Sequence, residues 1–154
     1  MKGHYSNILC VLSDTHRQDD VIAQAVHIAK SHQATLTIML SLESLPPNAN
    51  MVMESFSYID SQSSMETQAQ DWLRNQAEKW EEKYPTQTKV SIGSPLIDII
   101  TNVIKYQYDL VIKRAEESFL DRLFGSLDMR LLRKCPCPVW VLHQKCTSQY
   151  KNVV

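Results

Sequence analysis

Four short apolar runs, each set off by polar residues, place the strongest limit on how this chain folds. They are residues 7–12 (NILCVL), 35–40 (TLTIML), 109–112 (DLVI) and 139–142 (VWVL). A strand with one wet face alternates apolar and polar residues, whereas a strand covered on both faces does not. These runs are therefore strands of a parallel sheet buried between layers. A short fifth strand is expected at 88–92 (TKVSI), with Gly93 permitting the turn after it.

Between the runs the apolar period changes to that of a helix. Val21, Ile22, Ala25, Val26, Ile28 and Ala29 form one stripe, preceded by the acids Asp19 and Asp20. Met65, Ala69, Trp72, Leu73, Ala77, Trp80 and Tyr84 form a second, stopped by Pro85. Ser94-Pro95 marks a third start, followed by Leu96, Ile97, Ile99, Ile100, Val103 and Ile104. Leu123, Phe124, Leu127, Leu131 and Leu132 form the fourth. Five strands alternating with four helices predict an α/β fold: a doubly wound five-stranded parallel sheet with helices on both faces.

A chain of 154 residues suits one domain. Its net charge of -1 gives no reason to expect nucleic acid or an anionic membrane as a partner. No apolar run reaches the roughly 20 residues that span a bilayer, and the N-terminus is polar too soon for a signal peptide, so a cytoplasmic location is expected. Cys135 and Cys137 flank Pro136, and His143 and Cys146 follow, but the spacings are not those of a zinc site; no metal is expected. Cys10 is read as a buried thiol. His27 and His32 are read as solvated or interface histidines.

The segment 41–64 is the irregular part, expected as a lid or interface loop. Met51, Val52, Met53, Phe56 and Tyr58 are too apolar for a solvated linker, which suggests a small apolar ligand nearby. Ligands of doubly wound sheets sit at the carboxyl ends of strands. Those ends are Ser13-Asp14, Leu40-Ser41, Gly93 and Lys113-Arg114, of which Ser13, Asp14, Leu40 and Arg114 are assigned to the candidate site. Gly125 and Ser126 offer amides and a hydroxyl to an anion at a helix start. Alternatively, Ser118 caps that helix and Gly125 only allows close packing. Ser13, Asp14 and His16 contain the residue types of a triad, yet three polar residues in one short loop rarely form one, so no catalytic residue is assigned.

The chain resembles the universal stress protein family over about residues 5 to 145. The resemblance rests on NILCVLSD, on GSPLIDIITNVIKYQYDLVI and on GSLDMRLLRKCPCPVWVL. It implies an adenine-nucleotide alpha hydrolase-like fold and pairing through the closing strand, with Val139, Trp140 and Val141 as contacts. A homodimer or an intramolecular domain pair is the implied partner. The wording is closest to tandem members. Residues 1–146 are assigned to one domain, and residues 147–154 to a tail that echoes a first strand (YKNVV against YSNIL).

The family's ATP-binding branch follows its fourth strand with glycine, two residues, glycine, nine residues, then glycine with serine or threonine. Here Arg114 and Glu117 stand at the first two glycine positions, and seven residues separate Glu117 from Gly125. Ser13 stands where the branch places an aspartate, with Asp14 next. Glu116 and Glu117 put negative charge beside a triphosphate, partly offset by Lys113 and Arg114. The expectation is a stress-response binding or scaffold module without cofactor; the alternative is an ATP-binding protein with slow ATPase activity.

Overall fold

The computed structural model describes residues 4–13, 18–44, 55–115 and 127–142, with the backbone alone over 55–62. Its elements in order are β1 (Asn7–Leu12), α1 (Asp19–His32), β2 (Thr35–Glu43), α2 (Ser55–Glu81) and β3 (Gln87–Gly93). They continue with α3 (Pro95–Tyr106), β4 (Leu110–Arg114), α4 (Leu127–Lys134) and β5 (Val139–Leu142). The strands form one sheet in the order β3-β2-β1-β4-β5, and every pairing is parallel.

Strand alternation divides the apolar residues between two layers. Ile8, Cys10 and Leu12 of β1 join Leu36, Ile38 and Leu40 of β2 and Leu110 and Ile112 of β4 on one face. There α1 supplies Val21, Ile22, Ala25 and Ala29, and α2 supplies Ala69 and Leu73. The intervening residues Leu9, Val11, Met39 and Val111 face the other way, against Ile99 and Val103 of α3 and Leu131 of α4. Both faces are dry, which is why the strands are continuous apolar runs.

Two helix ends use a residue with positive φ, and neither uses glycine. Gln33 (φ 55°) ends α1 and Gln107 (φ 58°) ends α3. The next N–H closes the turn in each case: Ala34 N donates to Ala29 O at 2.9 Å and Tyr108 N to Val103 O at 3.2 Å. Asp109 then fastens the start of β4 to that of β1. Its carboxylate accepts from Ser6 N (2.8 Å) and Asn7 N (3.0 Å).

Several expectations are corrected. Residues 55–64 are helical, so α2 begins ten residues before Met65; no proline or glycine lies between Pro47 and Pro85 to stop it earlier. β2 runs to Glu43, because Ser41 and Glu43 pair with Ser91 and Gly93. β4 runs on through Lys113 and Arg114. The α3 stripe is only half used: Ile99 and Val103 are buried, but Ile97 and Ile104 are 63% and 64% exposed. Ser94 is the N-cap residue of α3 by position only, with no side-chain cap bond. Gly93 has no positive φ; its requirement is closeness, since a β-carbon there would stand 3.0 Å from Asp98 Oδ2. His32 is partly exposed, and its Nδ1 accepts from Tyr5 N at 3.2 Å.

Candidate functional site

Strand order decides where a crevice opens. From β1 the chain winds outward through β2 to β3, then crosses back to place β4 on the other side of β1. The connections leave β1 and β4 in opposite directions, so the gap lies beyond their carboxyl ends. Ser13 follows β1 directly, and Arg114 closes β4. Both are partly exposed, so the structure brings these two predicted residues to one edge.

Leu40 is placed differently. Its side chain is fully buried in the α1–α2 layer, so at the edge β2 presents its next residue, Ser41. Asp14, Gly125, Ser126, Glu116 and Glu117 lie outside the described residues, as do Met51–53 and the tail 147–154. Phe56 and Tyr58 belong to α2 by their backbone.

A row of serines crosses the carboxyl edge. Ser41 pairs in register with Ser91, and Ser13 stands one step beyond the Leu12–Leu40 pair. Ser91 Oγ donates to Asp98 Oδ2 at 2.8 Å, in the first turn of α3. Ser41 is 2% exposed, and its hydroxyl has no hydrogen-bond partner among the described residues. A buried hydroxyl without a partner is costly, which sets Ser41 apart from its register partner Ser91 among the described residues. The residue run TLTIMLS carries no signal of this, because a serine ending a strand looks like any strand end.

Lys113 changes the electrostatics of the crevice. The sequence places it in a polar elbow beside Arg114. Instead it is a strand residue paired with Val11 and Val141, and only 1% exposed. Its Nζ stands 2.7 Å from Asp128 Oδ1 and donates to Arg114 O at 2.9 Å. The long aliphatic stem fills the α3–α4 layer while the ammonium finds its counter-charge, a division that residue-type periodicity cannot register. Asp128 occupies the first turn of α4, where the helix dipole favours a negative charge. The start of α4 therefore already holds a carboxylate belonging to the protein.

The opposite side of the sheet ends on β5. Val139 and Val141 are partly buried, and Trp140 is 41% exposed with its ring edge-on to Tyr5, the centroids 6.4 Å apart. Among the described residues no group of three or more His, Cys, Asp or Glu is placed to hold a metal ion. No helix among them is long and apolar enough to cross a membrane.

The model of the Universal stress protein family matches residues 4–143. Universal stress protein E of Photorhabdus laumondii is 26% identical over 156 residues, covering 99% of this chain and 50% of that protein. The Universal stress protein E homolog of Haemophilus influenzae is 27% identical over 147 residues, covering 88% and 46%. The chain thus spans about half the length of the curated relatives it matches. Among solved structures, universal stress protein UspA from Lactobacillus plantarum superposes with a TM-score of 0.73 at 22% identity, covering 90% of this chain and 98% of that one. A universal stress protein in complex with cAMP gives 0.64 at 16% identity, covering 91% and 98%. The Archaeoglobus fulgidus protein in complex with dAMP gives 0.60 at 15%, covering 90% and 98%.

Proposed function

This chain belongs to the universal stress protein family, and from that premise we propose that it is a stress-response binding and scaffold module that does not take ATP in the family's ordinary way. The observation that carries the reading is the buried Lys113–Asp128 pair, 2.7 Å apart at the start of α4. A triphosphate set against that helix start would meet a fixed carboxylate, and the nearest buried cation is already engaged. Arg114 and Glu117 also put side chains at the two glycine positions, and Glu117 adds negative charge there. Calorimetric titration with ATP is expected to show no saturable binding at micromolar concentrations. Saturable binding that disappears in Gly125→Trp would overturn the reading.

The scaffold half of the proposal rests on β5. An edge strand with an exposed tryptophan needs a cover, and a second domain of the same kind supplies a matching edge. Trp140→Lys is expected to weaken self-association by roughly thirtyfold or more in sedimentation velocity, as for a central aromatic anchor. An unchanged sedimentation profile would remove β5 from the interface.

A second reading is a nucleotide-binding protein with slow ATPase activity. The crevice between β1 and β4 favours it, as do similar folds that hold cAMP and dAMP. The same titration, run with ATP, cAMP and dAMP and followed by phosphate release, separates the two.

A further inference from the structure

We propose that Cys135 and Cys137 form a reversible dithiol–disulfide site, oxidised by hydroperoxides, in the turn between α4 and β5. The two sulfurs stand 3.7 Å apart, in hydrogen-bond contact, and both are reduced and half-buried. The backbone on each side is pinned. Cys135 N donates to Leu131 O at 2.9 Å, continuing the last turn of α4. Pro138 O accepts from Val111 N at 3.0 Å, fixing the entry to β5 on β4. Pro136 between them restricts the turn further. A disulfide sulfur pair lies about 2.04 Å apart, so from 3.7 Å the two sulfurs approach by roughly 1.7 Å to form the bond.

The environments of the two thiols differ in the sense such a site needs. The hydrogen bond from Cys137 is the largest influence on Cys135 and pulls it down to about 6, against the opposing effect of burial. Cys137 is pushed well up, first by that same bond, then by burial, by the charge on Cys135 and by Asp109. Cys135 is the attacking thiolate and Cys137 the proton-bearing thiol that resolves it. Cys10 is the built-in contrast: burial pushes it up to about 12, and it lies in the sheet core.

The chemistry balances with a hydroperoxide as the oxidant. The Cys135 thiolate attacks the terminal oxygen of ROOH, and the O–O bond breaks. The departing RO⁻ takes a proton to become ROH, and Cys135 becomes a sulfenic acid. The Cys137 sulfur then attacks the Cys135 sulfur, gives up its proton and expels hydroxide, which together form water. Two thiols and ROOH become one disulfide, ROH and H₂O. A ring closed over a single intervening residue is strained, so a thiol reductant reopens it readily; this makes the bond a labile one and not a structural staple.

The test uses the full chain and one readout that the sequence makes clean. Trypsin cuts after Lys134 and Lys145, releasing peptide 135–145, which contains Cys135 and Cys137 and neither Cys10 nor Cys146. After one equivalent of hydrogen peroxide, this peptide is expected to lose two hydrogens in mass and regain them with dithiothreitol. In Cys137→Ser the reaction is expected to stop at a sulfenic acid on Cys135 that dimedone traps. Cys135→Ser is expected to slow oxidation at this site by about tenfold, because an ordinary thiol is only a few per cent thiolate at pH 7. Three results would each overturn the proposal. They are an unchanged peptide mass at peroxide levels that oxidise free glutathione, accumulation of sulfinic acid on the peptide, or Cys135 cross-linked to Cys146.

Discussion

Lys113→Ala is expected to lower the free energy of unfolding by about 3–5 kcal/mol, the usual loss when one member of a buried ion pair is removed. The ammonium is 1% exposed and stands 2.7 Å from Asp128. Its removal takes the ammonium away from Asp128, itself buried in the first turn of α4. The loss comes mainly from the carboxylate deprived of this counter-charge and from the cavity, so it does not measure the pair's net worth. A second variant separates these. Lys113→Met combined with Asp128→Leu removes both charges at similar volume and is expected to recover most of the stability. Urea unfolding followed by circular dichroism checks both. A single variant within about 1 kcal/mol of the parent would mean that the pair is solvated. The double variant also bears on function: if it gains ATP affinity, the carboxylate at the start of α4 was the obstacle.

Leu73→Ala is expected to cost about 3 kcal/mol, within the range for a fully buried leucine. Leu73 is completely buried and, with Ala69, seats the long helix α2 on the sheet. Trp72 and Trp80 pack against the same layer only partly buried, so they do not replace it. The matched control is Ile97→Ala. Ile97 is 63% exposed on α3, and a change there is expected to fall within about 0.5 kcal/mol of the parent. The two residues are indistinguishable in their local apolar pattern. Equal losses at both positions would mean that the outer face of α3 is covered in solution.

Particular residues show how far the sequence could be read. β1 and β5 have the bounds that NILCVL and VWVL predict, because a dry strand between polar ends has little choice. β4 was legible only to Ile112. Lys113 and Arg114 carry charges that end an apolar pattern, and nothing local shows that Lys113 has a carboxylate fifteen residues later to meet. The left-handed turns at Gln33 and Gln107 were illegible for a related reason: glycine is the usual signal, and here the backbone bonds after each helix hold glutamine in that conformation. At the crevice, Ser13 and Arg114 follow from strand ends. Ser41 stands beside Leu40 at a predicted strand end, but its burial was not legible, because it depends on the register of β2 with β3.

The sequence by itself determined the alternation of strands and helices, the dryness of both sheet faces and the family. These depend on apolar spacing and local wording, which neighbouring residues carry. Only the tertiary structure decided the strand order, with β4 returning beside β1, and so where the crevice opens. It alone paired Lys113 with Asp128, left the Ser41 hydroxyl without a partner among the described residues and set the Cys135 and Cys137 sulfurs 3.7 Å apart. Each of these is set by side-chain direction and by distance between atoms. A buried charge, an unmade hydrogen bond and a thiol contact have energies that depend on what stands opposite, and residue spacing holds no record of that.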